Sequence, residues 1–440
     1  MEPVKRNNTT DFLKEIFYAS LTAVDPYKKV REHAGRISHE YRHGGYRRFA
    51  VTGIGKASCL MGKAIEDTLG DLSPAGILIT KYGHCGPSCR LKKMRVYEAG
   101  HPIPDENGLN ATEKIIRLLR ESDEKTMILC LISGGGSALL VSPYQGISLE
   151  DKKTVTRLLL EAGADIFELN TVRKHISKVK GGRLAEAAYP AKVISLILSD
   201  VIGDKLDVIA SGPTCPDSGY YMDALGILEK YNLIELTPAT VLDVIRRGDK
   251  NMIPETPKEG DKIFERVDNI IIGSNRVALA AAKKKAEELG FRAEIISSEI
   301  TGEARKVGIM LAEKALKIKN EKVEQIPLCL ISGGETTVKV RGNGLGGRNM
   351  ELALSFAMAI EGSNGITLLS AATDGTDGPT DAAGAIVDGN TVSKAISRGV
   401  DPPKYLENND TYNFFRRIDE VLFTGPTGTN VMDIQIILIR

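Results

Sequence analysis

Neither sign of charge dominates this 440-residue chain: 58 Lys and Arg stand against 57 Asp and Glu. Bulk charge therefore gives no reason to expect nucleic acid or an anionic membrane as a partner. Cysteine is scarce, with six residues, too few for a disulfide scaffold. No uninterrupted apolar run approaches the roughly 18 residues that would span a bilayer. The opening MEPVKRNNTT lacks the apolar core of a secretory signal. Together these absences predict a cytoplasmic protein that handles small molecules, with no nucleic acid and no membrane as partner. A homodimer is left open.

What is present is an alternation. A helical start is expected over about residues 10–34. The apolar runs RRFAVTGIG, AGILIT, TMILCLI and KVISLILSD then alternate with amphipathic stretches such as NGLNATEKIIRLLRES and SLEDKKTVTRLLLEAG. In the second of these, Ser148 and Asp151 have capping-box spacing. The segment NMIPETPKEGDK is polar and aperiodic and reads as a linker or exposed loop. Beyond it NIIIGS, RAEIISS, IPLCLISGG, GITLLSAATDG and VMDIQIILI resume the strand pattern, with helices between. Continuous Val/Ile/Leu runs separated by helices indicate parallel strands covered on both faces. The expected fold is α/β, with two α/β domains, largely parallel helix-covered sheets and an interdomain cleft. Residues 1–245 would form a Rossmann-like N-terminal domain and 246–440 a C-terminal one. Two domains lie within the scatter expected for this length.

The stretch CLISGG occurs twice, at Cys130–Gly135 and Cys329–Gly334. Each reads as a strand running into a glycine turn. Such a turn lets the backbone approach a ligand and aim N–H groups at an anion. It also lies at the carboxyl end of a strand, where open α/β sheets bind ligands. Tight-turn chemistry alone is the competing reading. Lys56 in VTGIGKAS and Arg348 in GNGLGGRNMELALS each stand at a helix start after a glycine-rich turn. A cation there opposes the helix dipole by about 0.3–1 kcal/mol. An anion between helix end and cation, or a solvated side chain, would resolve the conflict.

Carboxylates also end strands: Asp200 in LILSDVIGD and Asp374 in LLSAATDGTDGPTD. Such residues suit Mg²⁺ or accept a proton from a hydroxyl. Asp204, Asp377 and Asp381 read equally well as turn formers. Asn430, in TGPTGTNVMD, either caps or orients a substrate. The basic run RKHISKVKGGRLAEAA holds Arg173, Lys174, Lys178, Lys180 and Arg183. It reads as a solvated helix face whose KGGR tail could meet a nucleotide phosphate. Stock motifs are absent. Ala57 follows Gly55-Lys56 where a Walker A loop has Ser or Thr, and Ser58 takes the third glycine of a dinucleotide fingerprint. The second strand ends at Thr80-Lys81, without an acid for a ribose. Glycine turns, two cations and two carboxylates are parts that suit phosphoryl transfer. In KYGHCGPSC, a metal site of His84, Cys85 and Cys89 with His101 is weighed against a plain loop. The Cys-x₃-Cys spacing is off the zinc pattern, which favours the loop.

The stretches GIGKAS, EAGHPIPD, LISGGGSALL, KHISKVKGGRLA, LSDVIGDKLDVIASGPT, ISGGETTV, GLGGRNMELALS, AATDGTDGPTDAAGA and TGPTGTN span about residues 50–430. In them the chain resembles the class II glycerate kinases, the MOFRL family. The resemblance implies phosphorylation of D-glycerate by ATP with Mg²⁺, usually to 2-phosphoglycerate. It also implies two α/β domains with the site between them, a MOFRL region over about residues 325–435, and site residues at Lys56, Asp200, Arg348, Asp374 and Asn430. On that reading ATP lies across Ser133, Gly134, Gly135, Gly136 and Ser137, with Lys180 on a phosphate. Lys56 and Arg348 bind substrate and steady the transferring group. Asp200 and Asp374 divide metal binding and proton acceptance, and His101 lines the glycerate pocket. Ala in place of Lys56 or Arg348 is expected to leave the melting temperature near native. The alternatives are an NAD(P)-dependent hydroxypyruvate reductase and a regulator that binds a sugar phosphate without chemistry.

Overall fold

Twelve strands gather into two six-stranded sheets among the described residues, which in this computed structural model are 9–72, 74–86, 89–321 and 327–440. Most of the opening decapeptide and part of the cysteine loop read above lie outside them. No helix of the described residues is long and apolar enough to cross a membrane.

The first sheet belongs to a compact unit spanning Pro26–Ile272. Its strands are β1 (Arg48–Ile54), β2 (Ala75–Lys81), β3 (Met94–Ala99), β4 (Thr126–Ile132), β5 (Lys192–Leu198) and β6 (Val267–Gly273). Their order is β3-β2-β1-β4-β5-β6, and β1 to β5 run parallel. Every residue of β4 is buried. Successive side chains point to opposite faces, so the sheet is covered on both. That is why TMILCLI is apolar throughout instead of alternating. The order reverses direction between β1 and β4, the switch point where such sheets open a crevice. The same unit holds a second, all-helical core. Helices Leu149–Glu161, Ile166–His175, Tyr221–Lys230 and Ala239–Asp249 pack there around Val155, Leu159, Val172, Leu228 and Val244.

The second unit combines the helix Thr9–Ala23 with Gly273–Arg440. Its strands are β7 (Arg292–Ile300), β8 (Leu328–Gly334), β9 (Ile366–Ala372), β10 (Gly384–Asp388), β11 (Val421–Leu422) and β12 (Asp433–Ile439), in the order β11-β10-β9-β12-β8-β7. Here the expectation of a largely parallel sheet fails. β7 and β8 are parallel, but β12 is antiparallel to both β8 and β9, and β10 is antiparallel to β9 and β11. The chain reaches β12 at the carboxyl ends of β8 and β9, where Asp433 pairs with Gly334 and Ala372, so it must run the other way. Burial fixes the composition of VMDIQIILI but not its direction.

The helical start is two helices, Thr9–Ala23 and Pro26–His43, because Pro26 ends one and opens the next. They belong to different units. In sequence, the two compact units meet at Ile272/Gly273. The segment read as a linker or exposed loop is a largely exposed loop of the first unit, tied down where the Glu255 carboxylate accepts from Tyr221 N at 3.0 Å and Pro257 O accepts from Asp217 N at 2.9 Å. Finally, the two CLISGG stretches differ. The first leaves β4 into a turn, with Gly135 left-handed at φ +84°. The second stays in β8 through Gly334, held between β12 and β7. Its glycines serve packing: a Cβ on Gly333 would lie 2.1 Å from the Asn275 amide oxygen, and one on Gly334 2.2 Å from Ile300 O.

Candidate active site

In the first unit the turns after β1 and β4 close on each other. Lys56 N donates to Gly134 O at 2.9 Å, Ser133 N to Ile54 O at 2.9 Å, and Ala57 N to Ser133 Oγ at 3.1 Å. Gly55 makes the crossing sterically feasible. Its φ is +118°, and a Cβ there would stand 2.4 Å from Ser133 O. Two further strand ends converge on the glycine turn. A Cβ on Gly134 would lie 2.3 Å from Asp200 Oδ2, at the end of β5. A Cβ on Gly135 would lie 2.9 Å from His101 Cδ2, at the end of β3, and 3.5 Å from Lys56 Cγ. Lys56, His101 and Asp200 thus surround one glycine pair. Among the described residues, the N–H groups of Gly134 and Gly135 donate to no protein acceptor. Burial, then the charges of Lys56, Lys81 and His84, push the His101 imidazole down to about 4. It is neutral near pH 7 and can accept a hydrogen bond.

The turn continues into a tightly held polar group. The Ser137 and Ser211 hydroxyls lie 2.6 Å apart, and Ser211 Oγ donates to Asn170 Oδ1 at 3.0 Å. Lys180 Nζ donates to Ser137 O at 2.8 Å, and Arg173 Nη2 to the same oxygen at 3.4 Å. Ala210, Ser211 and Gly212 are all left-handed, at φ +51°, +62° and +61°. Two consecutive non-glycine residues there cost on the order of 1 kcal/mol each, strain that tends to collect at functional sites. The basic run is not one helix face. Its helix ends at His175, another begins at Arg183, and Lys174, Lys180 and Arg183 are buried.

In the second unit the candidates cluster at the carboxyl ends of β8 and β9. Arg348 opens the helix Arg348–Ala359. Its guanidinium forks onto buried Asp433, with Nε 2.6 Å from Oδ2 and Nη2 3.0 Å from Oδ1, and Nη1 lies 2.6 Å from Glu335. Burial works against the charge, but Asp433 and Glu335 outweigh it and raise the pKa. The helix end itself is capped by Asp377, which accepts from Asn349 N at 3.0 Å and Met350 N at 2.8 Å. Burial pushes that carboxyl up to about 7. The anions expected beside this helix start are therefore supplied by the protein. In the first unit the corresponding helix end gives its Ala57 N–H to a serine hydroxyl. Asp374 follows β9 and accepts from Thr376 N at 3.0 Å, and Asn430 Oδ1 accepts from Met432 N at 3.1 Å. Thr373 and Thr427 stitch these two segments together: Val431 N donates to Thr373 Oγ1 at 2.8 Å and Thr427 Oγ1 to Thr373 O at 2.6 Å.

Sequence reasoning missed Glu335, Asp433 and Ser211. Asp433 had one local signal, an acid opening an otherwise apolar strand. In the cysteine loop, Cys85 Sγ lies 3.7 Å from Cys89 O and neither cysteine is in a disulfide. Among the described residues no group of three or more His, Cys, Asp or Glu is placed to hold a metal.

Two family models match the chain: a domain of unknown function (DUF4147) over residues 12–246 and the MOFRL family over residues 328–433. A D-glycerate 2-kinase of Thermotoga maritima is 46% identical over 97% of this chain and 97% of its own length. A glycerate 2-kinase of Pyrococcus horikoshii is 42% identical over 96% of this chain and 95% of its own. The crystal structure of a Thermotoga maritima glycerate kinase superposes with a TM-score of 0.89 at 45% identity, covering 98% of this chain and 99% of that one. With identity at this level over nearly its whole length, the chain belongs to the class II glycerate kinase family, which carries the MOFRL region.

Proposed function

We propose that the chain transfers the γ-phosphoryl group of ATP to the 2-hydroxyl of D-glycerate, releasing ADP. The observation that carries this reading is the pair of open N–H groups at Gly134 and Gly135, ringed by Lys56, His101 and Asp200. Preorganised N–H donors and a cation neutralise phosphoryl oxygens, which is most of what phosphoryl transfer asks of a protein. The glycerate hydroxyl oxygen forms the new bond to phosphorus. The bond from phosphorus to the β–γ bridging oxygen breaks, and ADP keeps that electron pair. The hydroxyl proton passes to a carboxylate, Asp200 or Asp374. Neutral His101 accepts a hydrogen bond from glycerate. Arg348, aimed by Asp433, retains N–H donors beyond its fork for an anionic group of the reactants, and Asn430 orients glycerate.

Mg²⁺ takes one or two carboxylates and completes its shell with water and phosphate oxygens. Asp200, lodged where Gly134 has no Cβ, fits that demand, and so does Asp374 at the end of β9. Such an ion would supply charge neutralisation on the phosphate oxygens.

The reductase alternative meets an obstacle in the first turn. The space beside Gly55 that a dinucleotide pyrophosphate would approach is filled by Ser133. The regulator alternative leaves Asp200 and Asp374 without a task. The test is incubation with ATP, Mg²⁺ and D-glycerate, with the product identified by NMR. Turnover of hydroxypyruvate with NAD(P)H, and none of glycerate with ATP, would overturn the proposal.

A further inference from the structure

Cationic side chains are seldom taken out of water without a carboxylate partner. The first unit holds two lysines that are, with an arginine beside them. Lys152, on the helix Leu149–Glu161, is 2% exposed, and Lys180 is 0% exposed. Arg173, on the helix Ile166–His175, is half-buried, and its Nε is shut off from solvent with no hydrogen-bond partner among the described residues. Neighbouring cations are treated differently: Lys174 pairs with Asp217 at 3.0 Å and Lys178 with Glu113 at 3.5 Å. Among the described residues, no carboxylate pairs with Lys152, Arg173 or Lys180, and the Lys152 ammonium makes no hydrogen bond.

The three are close enough to oppose one another. Burial, followed by the charge of Arg173, pushes Lys152 down to about 7. Burial and then Arg173, Lys152 and Lys174 push Lys180 well below the lysine range. Two of the three also share an acceptor, the Ser137 carbonyl. That carbonyl lies two residues past the open N–H of Gly135. Holding these groups charged is costly, and no carboxylate among the described residues offsets it.

We propose that Lys152, Arg173 and Lys180 form a phosphate seat, in which an oxyanion of the nucleotide's polyphosphate chain supplies the missing counter-charge beside Ser137. This rests on reading the unit as the one that binds the nucleotide. Phosphate fits better than a carboxylate. It brings more than one negative charge and several oxygens to donors that arrive from separate segments. Lys152 is the informative member, because Arg173 and Lys180 also brace the Ser137 turn while Lys152 braces nothing.

The experiment is calorimetric titration of the full-length protein, wild type and Lys152→Met, with MgADP, with adenosine and with D-glycerate, alongside thermal melts. Removing an uncompensated buried charge should leave the ligand-free melting temperature equal or higher. The MgADP Kd should rise at least about 10-fold, the usual consequence of losing a hydrogen bond to a charged group. Adenosine, which lacks phosphate, and D-glycerate should bind both proteins alike. An unchanged MgADP Kd would overturn the seat, and so would an equal loss of adenosine affinity. If Lys152→Met fails to fold, the reasoning that Lys152 braces nothing is wrong, and Lys152→Gln then decides by the same Kd comparison. Failure of wild type to bind MgADP at all would refute the kinase reading itself. Tight wild-type binding with an indifferent variant refutes only the seat.

Discussion

Replacing Gly134 with Ala would test the placement of Asp200 without touching the carboxylate. The new methyl carbon would stand 2.3 Å from Asp200 Oδ2 and 2.9 Å from its Cγ. Non-bonded heavy atoms settle near about 3.5 Å, so the carboxylate must retreat by about 1 Å. A displacement of that size at a reacting group costs about 10²-fold in rate. The fold should barely notice. Gly134 is not among the left-handed residues, and the obstacle is the end of a side chain that can turn away. A stability cost below about 1 kcal/mol corresponds to roughly 2–4 °C in a unit of this size. Gly55→Ala is the contrasting control. Its φ of +118° is strained for alanine, and its Cβ would meet the Ser133 carbonyl oxygen at 2.4 Å, which is backbone and has nowhere to go. That variant should lose stability as well as activity. The assay is kcat by a coupled ADP-release measurement, with a thermal melt for each variant. If Gly134→Ala melts normally and keeps kcat within about 3-fold of wild type, the position of Asp200 is immaterial to the chemistry and the reasoning is refuted.

Asp200→Asn and Asp374→Asn preserve shape and remove charge, and each should lower kcat by at least about 10²-fold; two near-normal variants at saturating Mg²⁺ would reassign both as turn residues. Arg348→Ala should be destabilised by about 3 kcal/mol, because it leaves Asp433 buried and unpaired. That reverses the expectation drawn from the sequence, and a melt within 2 °C or so of wild type would contradict it. His101 binds its proton less readily folded than unfolded, so stability should fall as pH drops from about 6.5 toward about 4. The loss, about 1–3 kcal/mol, should be read by urea unfolding across that range and should disappear in His101→Gln. A slope unaffected by that substitution would show that other groups titrate there.

The first sheet was legible because a strand buried on both faces must be apolar at every position, and TMILCLI and KVISLILSD are. That Lys56, His101 and Asp200 gather around one turn was legible for a related reason: parallel strands bring their carboxyl ends to one edge, and sequence locates strand ends well. What stayed hidden depends on distant pairing. Arg348 and Asp433 are 85 positions apart, and no local pattern announces that one neutralises the other. The two CLISGG stretches read alike because composition reports burial, while their fates depend on neighbours: β12 keeps Gly333 and Gly334 in a ladder, whereas the chain after Ile132 is free to turn. Lys152 looked like one more polar position of SLEDKKTVTRLLLEAG. Its burial comes from the helical core packed against it, which that stretch does not encode.

The helix Thr9–Ala23 has a consequence for the order in which the protein can mature. It packs against the helix Asn275–Glu288, with Phe12 edge-on to Phe291 and Glu15 3.4 Å from Lys285. Those partners leave the ribosome about 270 residues later. At roughly 5–20 residues per second, that is on the order of 10–50 seconds. Throughout that interval Leu13, Ile16 and Phe17, fully buried in the finished protein, have no surface to join. The unit Pro26–Ile272 is synthesised whole within the same interval and can close on itself. This helix, made before the unit Pro26–Ile272, thus docks after that unit can close, and its apolar face is what a chaperone meets on the nascent chain.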